Sequence, residues 1–264
     1  MLGAVIGDIV GSPKEFNNHR SKEFEMFTSK CSVTDDSIMT AAVAKAIMSC
    51  DGNWERLGEQ AIRSMQEIGR KYPTCGYGGM FWEWMFTDDP LPYGSYGNGA
   101  AMRVSPCGFA ARTESEAKLL SRKVTEVSHN HPEGIKGAEA TTIAIFLAKN
   151  GSTKEEIGDR MRTDYYDLDF TLDSIRSTYK FNETCQETVP QAIKAFLESN
   201  SFEDTIRGAI SIGGDSDTLA AIAGSIAEAY FGIPDKIRDI ALSYLNPELK
   251  GIYDEWQKYM ENKF

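Results

Sequence analysis

The chain has 264 residues, of which 41% are hydrophobic and 25% are charged, and its net charge is −11. These proportions supply a folded core, exclude a disordered chain, and disfavour bulk binding to nucleic acid or to anionic membranes. The five cysteines include no Cys-x-x-Cys pair, no apolar run reaches about 18 residues, and the N-terminus lacks the basic segment typical of a signal peptide. We therefore expect a cytoplasmic protein that does not span a membrane.

Helical spacing of apolar residues dominates the chain, and it predicts an all-α fold. The stretches 87–98 and 163–182 are irregular, but neither has the composition of a linker, so we expect one domain over residues 1–264. The predicted helices cover residues 2–11, 35–50, 53–71, 78–86, 99–112, 114–128, 133–150, 152–162, 187–199, 201–212, 217–231, 235–245 and 247–262.

Several helix boundaries carry a sequence signal. Thr34 or Asp35 is a candidate N-cap for the second helix, and Ser152 begins a segment that resembles a capping box ending at Glu155. Asn150-Gly151, just before that box, is a typical helix stop. These signals place the boundaries of the helices that carry the polar motifs.

Two acidic clusters far apart in the chain each open an alanine-rich helix: Thr34-Asp35-Asp36 and Asp215-Ser216-Asp217-Thr218. Helix capping explains one polar side chain at each start, but not two aspartates and a threonine. If folding brings the clusters together, four carboxylates and two hydroxyls form an oxygen ligand set suited to two Mg²⁺ or Mn²⁺ ions. Without cations, carboxylates so close together would resist ionisation.

Two glycine-rich motifs each allow a functional and an ordinary interpretation. Gly7 and Gly11 are four residues apart, so they share a helix face and allow close backbone approach, while Glu15 lies in the loop beyond, where a carboxylate is usually just solvated. The segment from Gly94 to Arg103 precedes a predicted helix and can offer free N–H groups to an anion, or it is a flexible loop.

Two of the three histidines lie in Ser128-His129-Asn130-His131-Pro132. Their rings can donate to a phosphate or a sugar hydroxyl, or serve as local hydrogen-bonding groups in a turn between helices. Metal binding by these histidines is less attractive than binding by the oxygen cluster, because no third histidine lies nearby. The chain has no Gly-x-Ser-x-Gly motif, which disfavours a serine nucleophile of that type.

In this order, the motifs resemble those of the ADP-ribosylglycohydrolase family, typified by the dinitrogenase-reductase-activating glycohydrolase. The resemblance extends over nearly the whole chain and is most specific in its last segment. It implies an all-α, compact orthogonal helical bundle with a binuclear Mg²⁺ or Mn²⁺ cleft. The segments that carry it are Gly7–Glu15, Val33–Ser37, Gly94–Arg103, Ser128-His129 and Ser211–Thr218.

The resemblance also implies roles for individual residues. By motif, the metal ligands are Thr34, Asp35, Asp36, Asp215, Asp217 and Thr218. The loop that holds the diphosphate and the nearby ribose comprises Gly94, Ser95, Tyr96, Gly97 and Asn98, and His129 contacts the ligand. The candidate catalytic acids and bases are Glu15, Asp35 and Asp36.

The activity implied is hydrolysis of the N- or O-glycosidic bond at C1″ of ADP-ribose, by a monomer, in an ADP-ribosylated protein or small-molecule conjugate. The acceptor stays open. The Gly94–Gly99 loop and the Glu15 motif resemble the branch that acts on O-linked ADP-ribose, including ADP-ribosyl-serine. His129–Pro132 resembles the arginine-directed bacterial type, which has an aspartate near the place of Ser95. The alternatives are a two-metal phosphohydrolase of nucleotide diphosphates and a non-catalytic ADP-ribose-binding module.

Overall fold

The structure is a computed structural model, and it describes residues 1–263. Within that range no β-strand occurs, and one isolated antiparallel bridge joins Gly97 to Thr184. The prediction of an all-α fold is confirmed. The helices are α1 (Leu2–Gly11), α2 (Asp35–Cys50), α3 (Leu57–Gly69), α4 (Gly79–Phe86), α5 (Gly99–Met102), α6 (Ser105–Ala110), α7 (Glu114–Thr125), α8 (Pro132–Lys149), α9 (Lys154–Asp164), α10 (Leu172–Ile175), α11 (Cys185–Glu198), α12 (Phe202–Ile210), α13 (Ser216–Phe231), α14 (Asp235–Leu242) and α15 (Pro247–Lys263).

Most predicted helix boundaries are confirmed to within a few residues. Thr34 caps α2, since its side chain accepts a hydrogen bond from the Asp36 N–H. The capping box of α9 is present one residue later than predicted, between Thr153 and Glu156. The predicted stop at Asn150-Gly151 follows the last residue of α8.

The helix predicted over 99–112 is wrong, because the segment divides into the short helices α5 and α6. Pro106 lies in the first turn of α6, where its missing N–H is not needed. A continuous helix would require that N–H for a backbone bond to Met102, so α5 ends there. Arg103 and Val104 form the corner between the two helices.

Helices α1 and α13 pack against each other at unusually short distance. A Cβ atom on Gly7 would lie 2.1 Å from the carbonyl oxygen of Ala220, and one on Gly11 would lie 2.4 Å from the Cα of Asp217. Glycine is therefore required at both positions, as the four-residue spacing predicted. This contact sets the end of α1 against the start of α13, where the second acidic cluster lies.

A tight turn leads into α13 and is bound to the loop that follows α1. Gly213 and Gly214 have φ angles of +71° and +78°, which glycine adopts without strain. The N–H of Gly214 donates to Asn18 Oδ1 at 2.6 Å, and Arg20 donates to the carbonyl oxygen of Ile212 at 2.9 Å. These bonds hold the loop that carries Glu15 beside the start of α13.

Helix α2 packs against α1, α3 and α15, while α13 is surrounded by α1, α5, α8, α11 and α12. All ten residues of α1 are buried, as are the twelve from Ser216 to Ala227 in α13. The N-termini of α2 and α13 consequently meet inside the protein. Within residues 1–263, no helix combines the length and the apolar character needed to cross a membrane.

Candidate functional site

The two acidic clusters open into one cavity of about 600 Å³. Its volume falls in the usual range for small-ligand sites, which is roughly 300–1,000 Å³. Every site residue predicted from the sequence lines this cavity except Thr34, which lies behind it and bonds to Asp8. The convergence of clusters about 180 residues apart is the arrangement that a shared oxygen-ligand site requires.

Five carboxylates in and around the cavity form two overlapping groups. Oxygens of Asp8, Asp36 and Asp217 lie within 4.8 Å of one another, and so do oxygens of Glu15, Asp215 and Asp217. Asp217 belongs to both groups. Two such groups sharing a carboxylate offer oxygen ligands to two cations placed side by side.

Asp8 is a further carboxylate of the acidic groups, and the sequence analysis did not assign it to the site. Its side chain is fully buried in α1 and accepts hydrogen bonds from Thr34 and Ser37. The Thr34 hydroxyl donates at 2.6 Å and the Ser37 hydroxyl also donates. With its oxygens occupied in this way, Asp8 fixes the start of α2 relative to α1. An aspartate in an otherwise apolar, fully buried helix was the signal available in the sequence.

Direct hydrogen bonds connect the clusters to each other and to the glycine-rich loop. The Thr218 hydroxyl donates to Asp36 Oδ2 at 3.1 Å, which joins α13 to α2. The side-chain amide of Asn98 donates to Asp215 Oδ2 at 2.7 Å. Asp36 Oδ1 is buried and has no hydrogen-bond partner among residues 1–263. A buried carboxylate oxygen without a donor is costly unless a cation occupies its lone pairs.

The electrostatics of the acidic cluster also indicate cation binding. Burial raises the pKa of Asp36 well above its usual range, and the charges of Asp35 and Asp8 raise it further. Burial likewise raises the pKa of Asp217, followed by the charge of Asp215. None of the cluster's aspartates forms an ion pair with a lysine or arginine of the described chain. The residues present therefore fit a pair of divalent cations bound through oxygen.

Glu15 lies at the edge of this cluster and is only partly buried. Burial raises its pKa to about 7, and the charge of Asp215 contributes in the same direction. A carboxyl group with a pKa near neutrality can both accept and donate a proton under physiological conditions. The interpretation of Glu15 as an ordinary solvated loop carboxylate does not fit this environment.

The glycine-rich loop from Gly94 to Gly99 lines the same cavity as Glu15. Not all of its N–H groups are free, contrary to the simplest expectation. Those of Gly94, Gly97 and Asn98 donate to Asn130, Ser95 and Glu183. Within the described chain, the N–H groups of Ser95, Tyr96 and Gly99 have no hydrogen-bond partner, so these three remain for an anionic ligand.

The structure gives the two neighbouring histidines different roles. His129 lines the cavity and is 5% exposed. His131 caps α8, because its Nδ1 accepts the Glu133 N–H at 3.1 Å. Asn130, between them, anchors the glycine-rich loop through Gly94. The local hydrogen-bonding role is confirmed for His131, and contact of His129 with a ligand stays a prediction.

The sequence profile described as ADP-ribosylglycohydrolase matches residues 1–255. The chain belongs to the ADP-ribosylglycohydrolase family. The match spans both acidic clusters, the glycine-rich loop and His129. The resemblance stated from the motifs is confirmed, and at the level of the family it supports a hydrolase of ADP-ribosyl conjugates.

Two curated relatives are distant in sequence but align with most of the chain. The mouse protein "ADP-ribosylhydrolase ARH3" is 25% identical and aligns with 88% of this chain and 83% of its own length. "ADP-ribosylarginine hydrolase Tri1" of Pseudomonas putida (strain GB-1) is 26% identical and aligns with 92% of this chain and 73% of its own length. Only the second name specifies an acceptor, arginine, so the relatives leave the acceptor of this family member open.

A solved structure described as "ADP-ribosylglycohydrolase-related protein complex" has the same fold. Its TM-score is 0.68, its sequence identity is 22%, and the match covers 95% of this chain and 93% of that one. The all-α ADP-ribosylglycohydrolase fold predicted from the sequence is therefore confirmed.

Proposed function

We propose that this chain hydrolyses the N- or O-glycosidic bond at C1″ of ADP-ribose in ADP-ribosylated substrates, with two Mg²⁺ or Mn²⁺ ions as cofactors. The observation that carries the proposal is the meeting of Asp36 and Asp217 in one buried group, with Asp36 Oδ1 left without a donor. Family membership supports the substrate class, and the oxygen-only ligand set supports hard divalent cations.

The proposed cation ligands are the residues matched by motif. Asp215 and Asp217 form one acidic group with Glu15, and Asp36 forms the other with Asp8 and Asp217. Thr34 gives its hydroxyl hydrogen to Asp8 and accepts the Asp36 N–H, which leaves one lone pair of its oxygen for a cation. The proposed set is Thr34, Asp35, Asp36, Asp215, Asp217 and Thr218. When bound, the cations supply the positive charge that polarises water and ribose hydroxyls.

The glycine-rich loop and His129 hold the ADP portion in this proposal. The unpartnered N–H groups of Ser95, Tyr96 and Gly99 bind the diphosphate, and the exposed ring of Tyr96 lies at the cavity mouth. Asn98 acts through its bond to Asp215, which orients that carboxylate. The loop thus connects the anion-binding surface to the acidic cluster directly.

Glu15 is the best-placed group for proton transfer. Its oxygen lies within 4.8 Å of those of Asp215 and Asp217, and its pKa of about 7 suits a general base for water or an acid for the leaving group. Asp35 and Asp36 are the other proposed catalytic carboxylates, which stabilise the positive charge that develops at C1″.

Three further features belong to the same proposal: a single domain over residues 1–264, a monomeric state and a cytoplasmic location. The five cysteines are free thiols in the structure, in keeping with a reducing compartment. The partner is an ADP-ribosylated protein or a small-molecule conjugate, since the relatives are named for such substrates.

A substrate panel tests the proposal. ADP-ribosyl-arginine, ADP-ribosyl-serine, O-acetyl-ADP-ribose and ADP-ribosylated nucleic acid are each incubated with Mg²⁺ or Mn²⁺, and products are identified by mass spectrometry. Free ADP-ribose from the arginine, serine or nucleic-acid conjugate supports glycosidic cleavage, whereas hydrolysis of the acetyl ester gives the same product from O-acetyl-ADP-ribose. AMP with ribose phosphate still attached to the acceptor identifies a two-metal phosphohydrolase instead, and tight ADP-ribose binding without turnover identifies a binding module.

A further inference from the structure

Arg103 is a buried cation that the proposed mechanism does not yet use. It lies at the corner between α5 and α6, is 0% exposed, and forms no ion pair with any carboxylate of residues 1–263. Its guanidinium is 5.4 Å from the ring centre of Phe81. A buried arginine without a counter-ion is expensive, so its hydrogen bonds indicate what it is kept for.

The Arg103 guanidinium reaches the pocket histidine through Ser128. Its Nη2 donates to Ser128 Oγ at 2.7 Å and to the carbonyl oxygen of Val124 at 3.3 Å. Ser128 Oγ lies 2.9 Å from His129 Nδ1. Arginine only donates, so Ser128 must accept from Arg103, and its own hydroxyl hydrogen is then free for one acceptor.

His129 Nδ1 is the acceptor that remains. Ser128 Oγ has no other partner within residues 1–263, and Arg103 Nη2 is itself 3.5 Å from Nδ1. A hydrogen on Nδ1 would face the arginine donor and leave the serine hydrogen without an acceptor. Nδ1 therefore carries no hydrogen, and a neutral imidazole must then carry it on Nε2.

His129 Nε2 faces the glycine-rich loop. The position that a Cβ on Gly99 would occupy is 3.3 Å from Nε2, and the corresponding position on Gly97 is 3.6 Å away. Burial, and then the charge of Arg103, lower the pKa of His129 well below its usual range, which keeps the ring neutral. The N–H of Nε2 thus lies at the part of the cavity where the loop leaves N–H groups for a ligand.

We propose that Arg103 and Ser128 are positioning residues that fix His129 as the neutral tautomer protonated on Nε2. In that form His129 donates a hydrogen bond to an oxygen of the diphosphate–ribose portion of ADP-ribose. Only the identity of this ligand rests on the proposed function. The tautomer follows from the arrangement of Arg103, Ser128 and His129 alone.

The tautomer is measured directly by long-range ¹H–¹⁵N NMR of the histidine rings in the 264-residue chain. The chain has three histidines, so the spectrum is simple, and a His129→Gln variant identifies the His129 signals by their loss. We expect the ¹⁵N resonance of Nδ1 to be that of an unprotonated nitrogen and the resonance of Nε2 to be that of a protonated one. A protonated Nδ1 in the wild type would overturn the proposal.

Two variants test the positioning role, and a third is its matched control. Ser128→Ala removes the donor to Nδ1, and Arg103→Met removes the cation; each should shift His129 towards protonation of Nδ1 and weaken binding of ADP-ribose with Mg²⁺ roughly tenfold. Ser121→Ala also removes a buried hydroxyl, but that hydroxyl has no hydrogen-bond partner in the described chain, so both readouts should stay at the wild-type value.

The outcomes separate this inference from the proposed function. If Ser128→Ala folds and its His129 signals match those of Ser121→Ala, the positioning role is wrong, and that variant decides the matter even if Arg103→Met does not fold. If the tautomer and its response are as expected but wild-type protein binds no ADP-ribose, the positioning role stands and the proposed function fails.

Discussion

The hydroxyl of Thr218 donates to Asp36 Oδ2 at 3.1 Å, which joins two acidic clusters that are separated by most of the chain. The other oxygen of Asp36 is buried without a donor. This pair shows why the clusters are more than two helix caps, since capping would direct the side chains to the N–H groups of their own helices. Asp36 is therefore the position where removal of one carboxylate charge tests cation binding most clearly.

Asp36→Asn should separate cation binding from folding. The substitution keeps the side-chain size and removes a buried charge that has no lysine or arginine partner, so the metal-free variant should be more stable than wild type by about 1–2 kcal/mol. Its affinity for Mg²⁺ should fall at least about tenfold. Chemical denaturation with EDTA and isothermal titration with Mg²⁺ measure the two effects. Wild-type Mg²⁺ affinity in the variant would contradict the assignment.

The stability of the metal-free protein and the extra stability given by cations should change in opposite directions with pH. Burial raises the pKa values of Asp8 and Asp215, and that of Glu15 to about 7, so the folded state binds more protons than the unfolded state below that pH. The metal-free protein should therefore gain stability as pH falls from about 7 towards about 4, the usual carboxylate range.

Protons and cations compete for the same carboxylates, so the stabilisation by Mg²⁺ should be largest above pH 7 and should shrink as pH falls. Thermal unfolding in EDTA and in Mg²⁺ from pH 5 to pH 8 measures both trends. The difference between the two midpoints is the informative quantity, because other titrating groups largely cancel in it. A difference that is constant or grows towards pH 5 would rule out cation binding at the cluster.

The glycine contact between α1 and α13 should be essential for stability. Gly7→Ala places a methyl group against the backbone of Ala220 in two packed helices, so we expect a loss of about 3 kcal/mol in the free energy of unfolding. Gly251→Ala is the matched control, because Gly251 lies inside α15 with no atom within 4 Å of the added methyl. It should stabilise by up to about 1 kcal/mol. Equal effects in the two variants would disprove the close approach.

Glu15→Gln should reduce kcat about 100-fold while ADP-ribose and Mg²⁺ still bind, since the amide cannot transfer the proton. Titration of Glu15 should change the activity of the wild type near neutral pH, and this change should be absent from the pH profile of the variant. Glu183→Gln is a control for kcat, because Glu183 also lines the cavity but belongs to neither acidic group; its charge contributes to the raised pKa of Glu15, so the pH profile is not compared in this variant. Wild-type turnover by Glu15→Gln would remove it from the proton-transfer role.

The sequence was sufficient to predict most of the helices and the helix starts at both acidic clusters, because periodicity and helix-start residues are local signals. It did not predict α10, which lies in the stretch 163–182 expected to be irregular. It did not predict the break at Pro106, since the apolar pattern continues across it. Asp8 was missed because its partners, Thr34 and Ser37, are brought to it only by packing of α1 on α2. Which N–H groups of the loop stay free likewise depends on Glu183 and Asn130, which are distant in the chain.

The most direct test of the account is the Mg²⁺-dependent release of free ADP-ribose by wild type and by Asp217→Asn, using whichever panel substrate the wild type cleaves. Asp217 belongs to both acidic groups, so its charge bears on both proposed cations. We expect the variant to remain folded and to lose at least about 100-fold in kcat/KM together with Mg²⁺ binding. Release of ADP-ribose at the wild-type rate, with the same dependence on Mg²⁺, would contradict the account.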